Sequence, residues 1–353
     1  MKTLFGRFLG VNALSISICI APTLARGAAG PYHLINEIPI GGEGGWDYST
    51  VDSSARRLYV SHGDRVMVVD LDKDSVVGEI TNTPGVHGLA PAPDLGKGLT
   101  TNGRESKASL VDLKTLETIL KAPTGEGPDG MLYDSGQQEF YTFNGRGQSS
   151  TVIDAKSGKV VATIELGGRP ESAVADPTAG RVYDNIESKS EVAVIDTKTH
   201  KIVSRWPIAP GESASGMAID TAHHRIFCGC RNEKLVMLDT SNGKVVANVP
   251  IGQGVDACAF DPGTQLAFAS CGDGTTTIAK EESPDKLTVV QTLTTERGAR
   301  TMALDPATHR IYLATAKFEA PAQGEDGGGR RRWRGRMVPG SFKVLVFGME
   351  KEQ

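Results

Sequence analysis

Short apolar runs recur along the chain at a nearly constant interval, and each ends in an aspartate. They are Val68-Val69-Asp70, Leu110-Val111-Asp112, Val152-Ile153-Asp154, Val194-Ile195-Asp196 and Met237-Leu238-Asp239, with the aspartates 42, 42, 42 and 43 residues apart. Between these runs, other short alternating or apolar stretches are separated by turn residues. That is the punctuation of strands and not of helices. A fixed period of this length with four strands per unit predicts a β-propeller.

Aligning the first strand of each unit on its last residue gives Tyr48–Asp52, Gly88–Ala92, Gly130–Asp134, Ser172–Asp176, Gly216–Asp220, Ala257–Asp261 and Thr301–Asp305, which makes seven blades. Second strands follow, such as Leu58-Tyr59-Val60-Ser61, Val182-Tyr183-Asp184 and Ile311-Tyr312-Leu313. Asp-Pro at Asp176-Pro177, Asp261-Pro262 and Asp305-Pro306 marks the intervening turns, because proline pre-sets φ there. The third and fourth strands are joined by hairpins in which Gly158 and Gly243 stand where a left-handed backbone is needed. The five recurrent aspartates are accordingly expected to cap turns. The chain ends soon after Val344-Leu345-Val346-Phe347, leaving the seventh unit without an outer strand. The segment from His33 to Gly42 resembles the outer-strand segment Val160 to Gly168, so it is expected to complete the last blade and close the ring. Closure removes the long open edges of a linear array.

The amino terminus changes the picture of where the protein works. Lys2 and Arg7 precede an apolar stretch from Phe8 to Ala21, and Thr23-Leu24-Ala25 offers small residues for cleavage. Residues 1–25 are read as a secretory signal, and residues 26–353 as one propeller. The apolar stretch is too short for a good membrane span, and a periplasmic or secreted location is expected. Loss of Lys2 and Arg7 takes the formal charge from −4 to −6. A mildly acidic exported chain has no global attraction to nucleic acid. Cys228, Cys230, Cys258 and Cys271 remain. Buried thiols are expected, with a disulfide or a metal site as alternatives; a Cys230–Cys271 bridge would span strands too far apart.

The Tyr-Val-Ser-like second strand, the Ala-x-Asp-Pro turns at Ala259 to Pro262 and Ala303 to Pro306, and the hairpin Val152-Ile153-Asp154 to Gly158-Lys159-Val160-Val161 resemble the YVTN-repeat (YncE-like) β-propellers. The resemblance covers about residues 33 to 348. It implies an exported seven-bladed propeller and carries no shared catalytic motif.

Chemistry is expected at the channel mouth. The alignment puts Asp47, His87, Asp129, Glu171, Ser215, Asp256 and Arg300 at the starts of the seven inner strands. Clustered carboxylates raise one another's pKa or recruit a cation, so a divalent ion at the mouth is a candidate cofactor. A second ring at the ends of the second strands reads His62, Asn102, Asn144, Ile186, Cys230, Cys271 and Thr315. His62 and His87 would add nitrogen ligands for a transition metal. His223 and His224 fall in a turn on the opposite face and are expected to be solvated. The last blade carries an insertion of about 27 residues, spanning about 316–341, that includes Arg330, Arg331, Arg332, Trp333, Arg334 and Arg336. It should emerge on the face of the mouth. These features predict a monomeric propeller that binds a small ligand or another exported protein. A metal-dependent lactonase- or lyase-like enzyme and a polyanion binder working through the arginine-rich loop are the alternatives.

Overall fold

The computed structural model describes residue 1, residues 30–319 and residues 336–349. The signal segment lies outside the described residues, as do Arg330, Arg331, Arg332, Trp333 and Arg334. The fold is a seven-bladed all-β propeller in which each blade is a four-stranded antiparallel sheet. The inner strands are Ser49–Asp52, Val86–Ala92, Pro128–Asp134, Pro170–Asp176, Ala214–Asp220, Val255–Asp261 and Thr301–Asp305.

The turn chemistry follows the sequence pattern closely. Asp70, Asp112, Asp154, Asp196 and Asp239 each accept backbone N–H bonds from the turn that follows them, at 2.7–3.0 Å. Four residues after each aspartate the backbone is left-handed. Gly158 and Gly243 fill that position in two blades, but Asp74, Leu116 and His200 adopt it in three others.

Hydrophobic packing links blade to blade. One cluster joins Tyr59 and Val66 of blade 1 to Leu89 and Val111 of blade 2, another joins Tyr141 and Val152 of blade 3 to Val182 and Ile195 of blade 4, and such clusters continue around the ring. The ring closes where Ile38, Tyr312 and Val346 of blade 7 meet Leu58, Val60 and Val69 of blade 1.

The amino-terminal strand Tyr32–Pro39 pairs antiparallel with Lys343–Met349, as the outer strand of blade 7. Its anchor is Tyr32, which is buried against Phe268 at a ring separation of 5.2 Å and donates its hydroxyl to the His309 carbonyl at 2.6 Å. Gln291 of blade 6 bonds both backbone groups of Tyr32, at 3.0 and 2.7 Å. The clasp thus grips two blades.

Cys228, Cys230, Cys258 and Cys271 form no disulfide. Their burial pushes each thiol up, Cys230 and Cys271 to about 12, which makes them inert. No helix among the described residues is long and apolar enough to cross a membrane.

Candidate functional site

The mouth is built by a repeated irregularity. In blades 2 to 6 the inner strand begins about two residues earlier than the repeat suggests, and the pairing slips at its start, between Val86 and Gly88, Pro128 and Met131, Pro170 and Ala173, Ala214 and Met217, and Val255 and Ala257. His87, Asp129, Glu171, Ser215 and Asp256 sit in those slips. A β-bulge re-aims a side chain away from the pleat, and here it turns one polar residue per blade toward the channel. Close approach of neighbouring inner strands explains two glycines beside the bulges. A Cβ on Gly130 would stand 2.5 Å from the Glu171 carbonyl, and one on Gly216 would stand 2.6 Å from the Cys258 nitrogen.

The ring residues join into two arcs. In the first, His87 Nδ1 lies 2.8 Å from Asp47 Oδ2 and 3.1 Å from Asp129 Oδ1. In the second, the Ser215 hydroxyl reaches Glu171 Oε1 at 3.3 Å and Asp256 Oδ1 at 3.1 Å, and Arg300 Nε pairs with Asp256 Oδ2 at 3.0 Å. Below the mouth, Tyr48 of blade 1 brings its hydroxyl to 3.5 Å from Ser172 Oγ of blade 4, bridging the channel. Burial, with Asp129, Glu171 and Asp47 nearby, holds that phenol well above its usual pKa.

These contacts set the charges. Burial would lower the His87 imidazole, but its hydrogen bonds to Asp129 and Asp47 overcome that and carry it up to about 10. An imidazolium therefore stands between two carboxylates at neutral pH. Burial raises Asp47 to about 6 against the opposing hydrogen bond from His87, and the Asp129 and Asp256 charges add to the rise. Glu171 is different. Burial, then the Asp129 and Asp256 charges, push it up to about 7. The nearest cations, Arg169 and Arg231, are both engaged with the buried carboxylate of Glu187. Beneath Glu171 lies Asp184, fully buried and pushed well above the carboxylate range by desolvation and by Glu171.

A cavity of about 530 Å³ opens over Asp47, His87, Asp129 and Glu171, walled by Gly44, Gly63, Gly85, Gly103 and Gly127 and by Trp46. Its rim carries Arg104, Arg146 and Arg169. Sequence reasoning missed these arginines. The available signal was their recurrence next to a glycine at the blade ends, as Gly103-Arg104, Gly145-Arg146 and Gly168-Arg169.

The second predicted ring does not join the first. His62 is buried and stacks on Phe342 at 4.1 Å, and burial lowers its pKa. Asn102 donates to Ser109 Oγ and Glu105 Oε1, and Asn144 to Ser149 Oγ and Thr151 Oγ1, within their own blades. Ile186, Cys230, Cys271 and Thr315 are likewise buried. Strands twist, so the register that aligned these residues in sequence carries their side chains into the blades instead of toward the axis.

The inserted segment is tied down at its base. Phe318 pairs with Met337, and Glu319 N–H donates to the Arg336 carbonyl at 2.9 Å. Phe318 and Phe342 pack on Trp46 at 6.0 and 5.2 Å, so the base stands beside the mouth cavity that Trp46 lines. Arg336 is exposed there. On the opposite face His223 is not simply solvated: its Nδ1 lies 2.6 Å from Asp220 Oδ2 and 3.7 Å from Glu281 Oε1.

Comparison with known proteins defines the class: a seven-bladed propeller with WD40-like structural neighbours. The chain superposes on a structure of the RRP9 WD40 repeats with a TM-score of 0.75 at 10% identity, covering 91% of this chain and 99% of that one. A structure of U3-55K gives 0.73 at 10% identity, covering 89% and 98%. Kuenenia stuttgartiensis hydrazine synthase gives 0.66 at 16% identity, covering 83% and 95%. At such identities the likeness is one of fold alone. No protein-family model matches the chain, and no curated protein matches it by sequence.

Proposed function

We propose that this protein is an exported binding propeller of the YVTN-repeat type, and that its channel mouth takes a small ligand or a partner's side chain bearing a positive group. One observation carries the reading. Glu171 sits between Asp129 and Asp256 in a half-buried mouth, while the cations around it are already engaged, Arg300 with Asp256, His87 with Asp47 and Asp129, and Arg169 and Arg231 with Glu187. A carboxylate so placed gains most from an incoming ammonium or guanidinium group, which replaces lost hydration and relieves the repulsion at once. The rim arginines Arg104 and Arg146, exposed and paired at the surface with Asp64 and Glu126, would exchange those partners for an anionic end of the same ligand. A monomer with its mouth open to solvent suits this role.

Isothermal titration with putrescine, free lysine and free arginine tests the proposal. Binding to the wild type that is lost in Glu171→Gln supports it. Absence of binding by all three, or binding that Glu171→Gln leaves unchanged, overturns it.

A second reading rests on Asp47, His87 and Asp129, whose potential ligand atoms lie within 4.8 Å of one another. Two carboxylates and an imidazole suit a divalent transition metal, which would supply Lewis-acid chemistry of the lactonase or lyase kind. The imidazolium must lose its proton first. Metal analysis of chelator-free protein, with Asp129→Asn as the control, separates this reading from the first.

A further inference from the structure

One position recurs in six blades, just past the third strand in blades 1 to 5 and within the longer third strand Thr275–Ser283 in blade 6, where its backbone N–H docks on the preceding turn. Leu71 donates to the Arg56 carbonyl, Leu113 to Gly96, Ala155 to Gln138, Thr197 to Gly180, Thr240 to His224 and Glu281 to Gln265. Five of these side chains are apolar or a small hydroxyl. Blade 6 alone among the six puts a carboxyl in the column, and Glu281 is only 1% exposed. Neither of its oxygens meets a hydrogen-bond donor. A buried carboxyl left so is costly unless something positive answers it.

The groups facing it are Asp220 and His223 of blade 5. Their potential ligand atoms and that of Glu281 lie within 4.8 Å of one another. Asp220 divides its work: Oδ1 accepts the Ala222 N–H at 3.0 Å as a turn cap, and Oδ2 is left to face His223 Nδ1 at 2.6 Å. The neighbouring cations are directed elsewhere. Arg225 donates to the Pro284, His223 and His224 carbonyls and to Asp285, and approaches Asp239 at 3.4 Å. Lys280 donates to the Thr264 carbonyl at 2.5 Å.

The equivalent caps in other blades show what is unusual here. Asp305 is met by Ser53, Arg56 and Thr308, all donors, and Asp261 by Thr264 and His309. Only at Asp220, among these three, does the next blade present a second carboxyl. Two carboxyls then face each other in the protein interior, with an imidazole at their edge and a path to solvent through the 37% exposed His223 side chain.

We propose that Asp220, His223 and Glu281 form a zinc-class divalent metal site that ties blade 5 to blade 6 on the face opposite the mouth. One imidazole nitrogen and two carboxylate oxygens are borderline-hard ligands suited to such an ion, and three protein ligands leave a fourth position for water. A small inward movement of the three side chains brings their atoms to coordination distance. The site stands apart from the mouth and does not depend on the function proposed for it.

The test is zinc titration of the full chain after chelator treatment, read by calorimetry and by thermal unfolding. The expected result is one zinc ion per chain and a rise in Tm. Glu281→Gln and His223→Ala should each weaken binding at least ~100-fold, since loss of a direct ligand exceeds the 10–100-fold typical of outer-shell changes. Asp129→Asn, at the mouth, should leave this binding intact. Glu281→Leu, which restores the residue found at 71 and 113, guards against a folding defect; it should fold, ignore zinc and need no metal for stability. Cobalt(II) should give the visible absorption of a four-coordinate site in the wild type and not in Glu281→Leu. The proposal is overturned if zinc does not raise the wild-type Tm, which would leave a shared proton between the carboxyls. It is overturned equally if the zinc effect survives in Glu281→Gln and His223→Ala, or disappears only in Asp129→Asn.

Discussion

Two acid–histidine clusters occupy opposite faces of this ring, and they solve the same electrostatic problem in different ways. At the mouth, Asp47, His87 and Asp129 are each about a quarter to a third exposed, and one imidazolium lies between two carboxylates. Water and the internal cation share the stabilisation. On the underside, Asp220 and Glu281 are almost wholly buried, His223 sits at their edge, and Glu281 has no donor. The residue types are nearly the same. What differs is burial and whether the imidazole reaches both carboxyls: His87 Nδ1 lies within 3.1 Å of both its partners, whereas His223 Nδ1 is 2.6 Å from Asp220 and 3.7 Å from Glu281. A half-exposed cluster with its own imidazolium is stable as it stands, and exchanges that cation for a ligand only at the loss of existing pairs. A buried cluster in which one carboxyl has no hydrogen-bond donor is incomplete.

The frame common to both can be broken first, and it gives the largest effect. Deleting residues 32–39 removes the outer strand of blade 7, with the Tyr32 anchor on Phe268, His309 and Gln291. It exposes a strand edge, and the expected outcome is loss of a cooperative unfolding transition together with aggregation, seen by calorimetry and light scattering. A variant that still unfolds in one sharp transition near the wild-type Tm would show that the clasp does not close the ring.

Next in size is Glu281→Leu, measured without metal. It removes a buried carboxyl with no donor, a feature that costs about 1–3 kcal/mol, and Tm should rise by at least 2 °C. The corresponding change at the mouth, Asp129→Leu, should lower Tm, because it strips His87 of a partner. If both substitutions move Tm the same way, the contrast between the clusters fails.

The sequence revealed these two regions unequally, for physical reasons. Blade number, turn caps and the clasp were legible because each rests on a local rule repeated around the ring, as Asp154 with Gly158 shows. The first ring of mouth residues was legible because aligning the inner strands on their last residue also brings their starts into register. The bulges that turn those residues inward left no mark of their own. His62, Asn102 and Asn144 were misplaced because strand twist, which no spacing encodes, decides where a side chain at a strand end points. Glu281 was hidden by another cause. It is one acidic residue among many until the column Leu71, Leu113, Ala155, Thr197, Thr240 is aligned, and only then does its charge stand out. Asp184 is comparable, since a carboxyl within an apolar second strand becomes informative once its burial is known.

Smaller effects sharpen the mouth side of the comparison. His87→Gln leaves Asp47 and Asp129 without the imidazolium between them, at a loss of about 1 kcal/mol at neutral pH, since partly exposed pairs are worth little. The pH dependence identifies the cause. The folded-state pKa of His87 is raised from 6.5 to about 10. Its contribution to stability is therefore fully present below 6.5 and is lost as pH rises through about 10. The wild type should lose its advantage over His87→Gln across that interval in denaturant titrations. A constant difference between the two proteins from pH 6 to pH 10 would mean that His87 acts by packing and not by charge.

Glu171→Gln should give the smallest change, and its sign is the most informative. The folded-state pKa is raised from 4.5 to about 7, first by burial and then by Asp129 and Asp256. A raised folded pKa means that the folded state binds the proton more tightly than the unfolded one. The stability it contributes is fully present below pH 4.5 and is lost as pH rises through about 7. Relative to the wild type, Glu171→Gln should therefore gain stability progressively across that window and hold the gain above it, with Tm higher by roughly 1–3 °C at pH 8. Salt should shrink the gain, because part of the rise is repulsion between partly exposed carboxylates. A bound ammonium group should shrink it further, since a cation beside Glu171 favours the charged form and lowers its pKa. Putrescine affinity should then grow as pH rises through about 7, with proton release measurable by calorimetry in two buffers of different ionisation enthalpy. Equal affinity at pH 5.5 and pH 8, with no proton exchanged, would show that whatever binds the mouth does not seat its charge on Glu171.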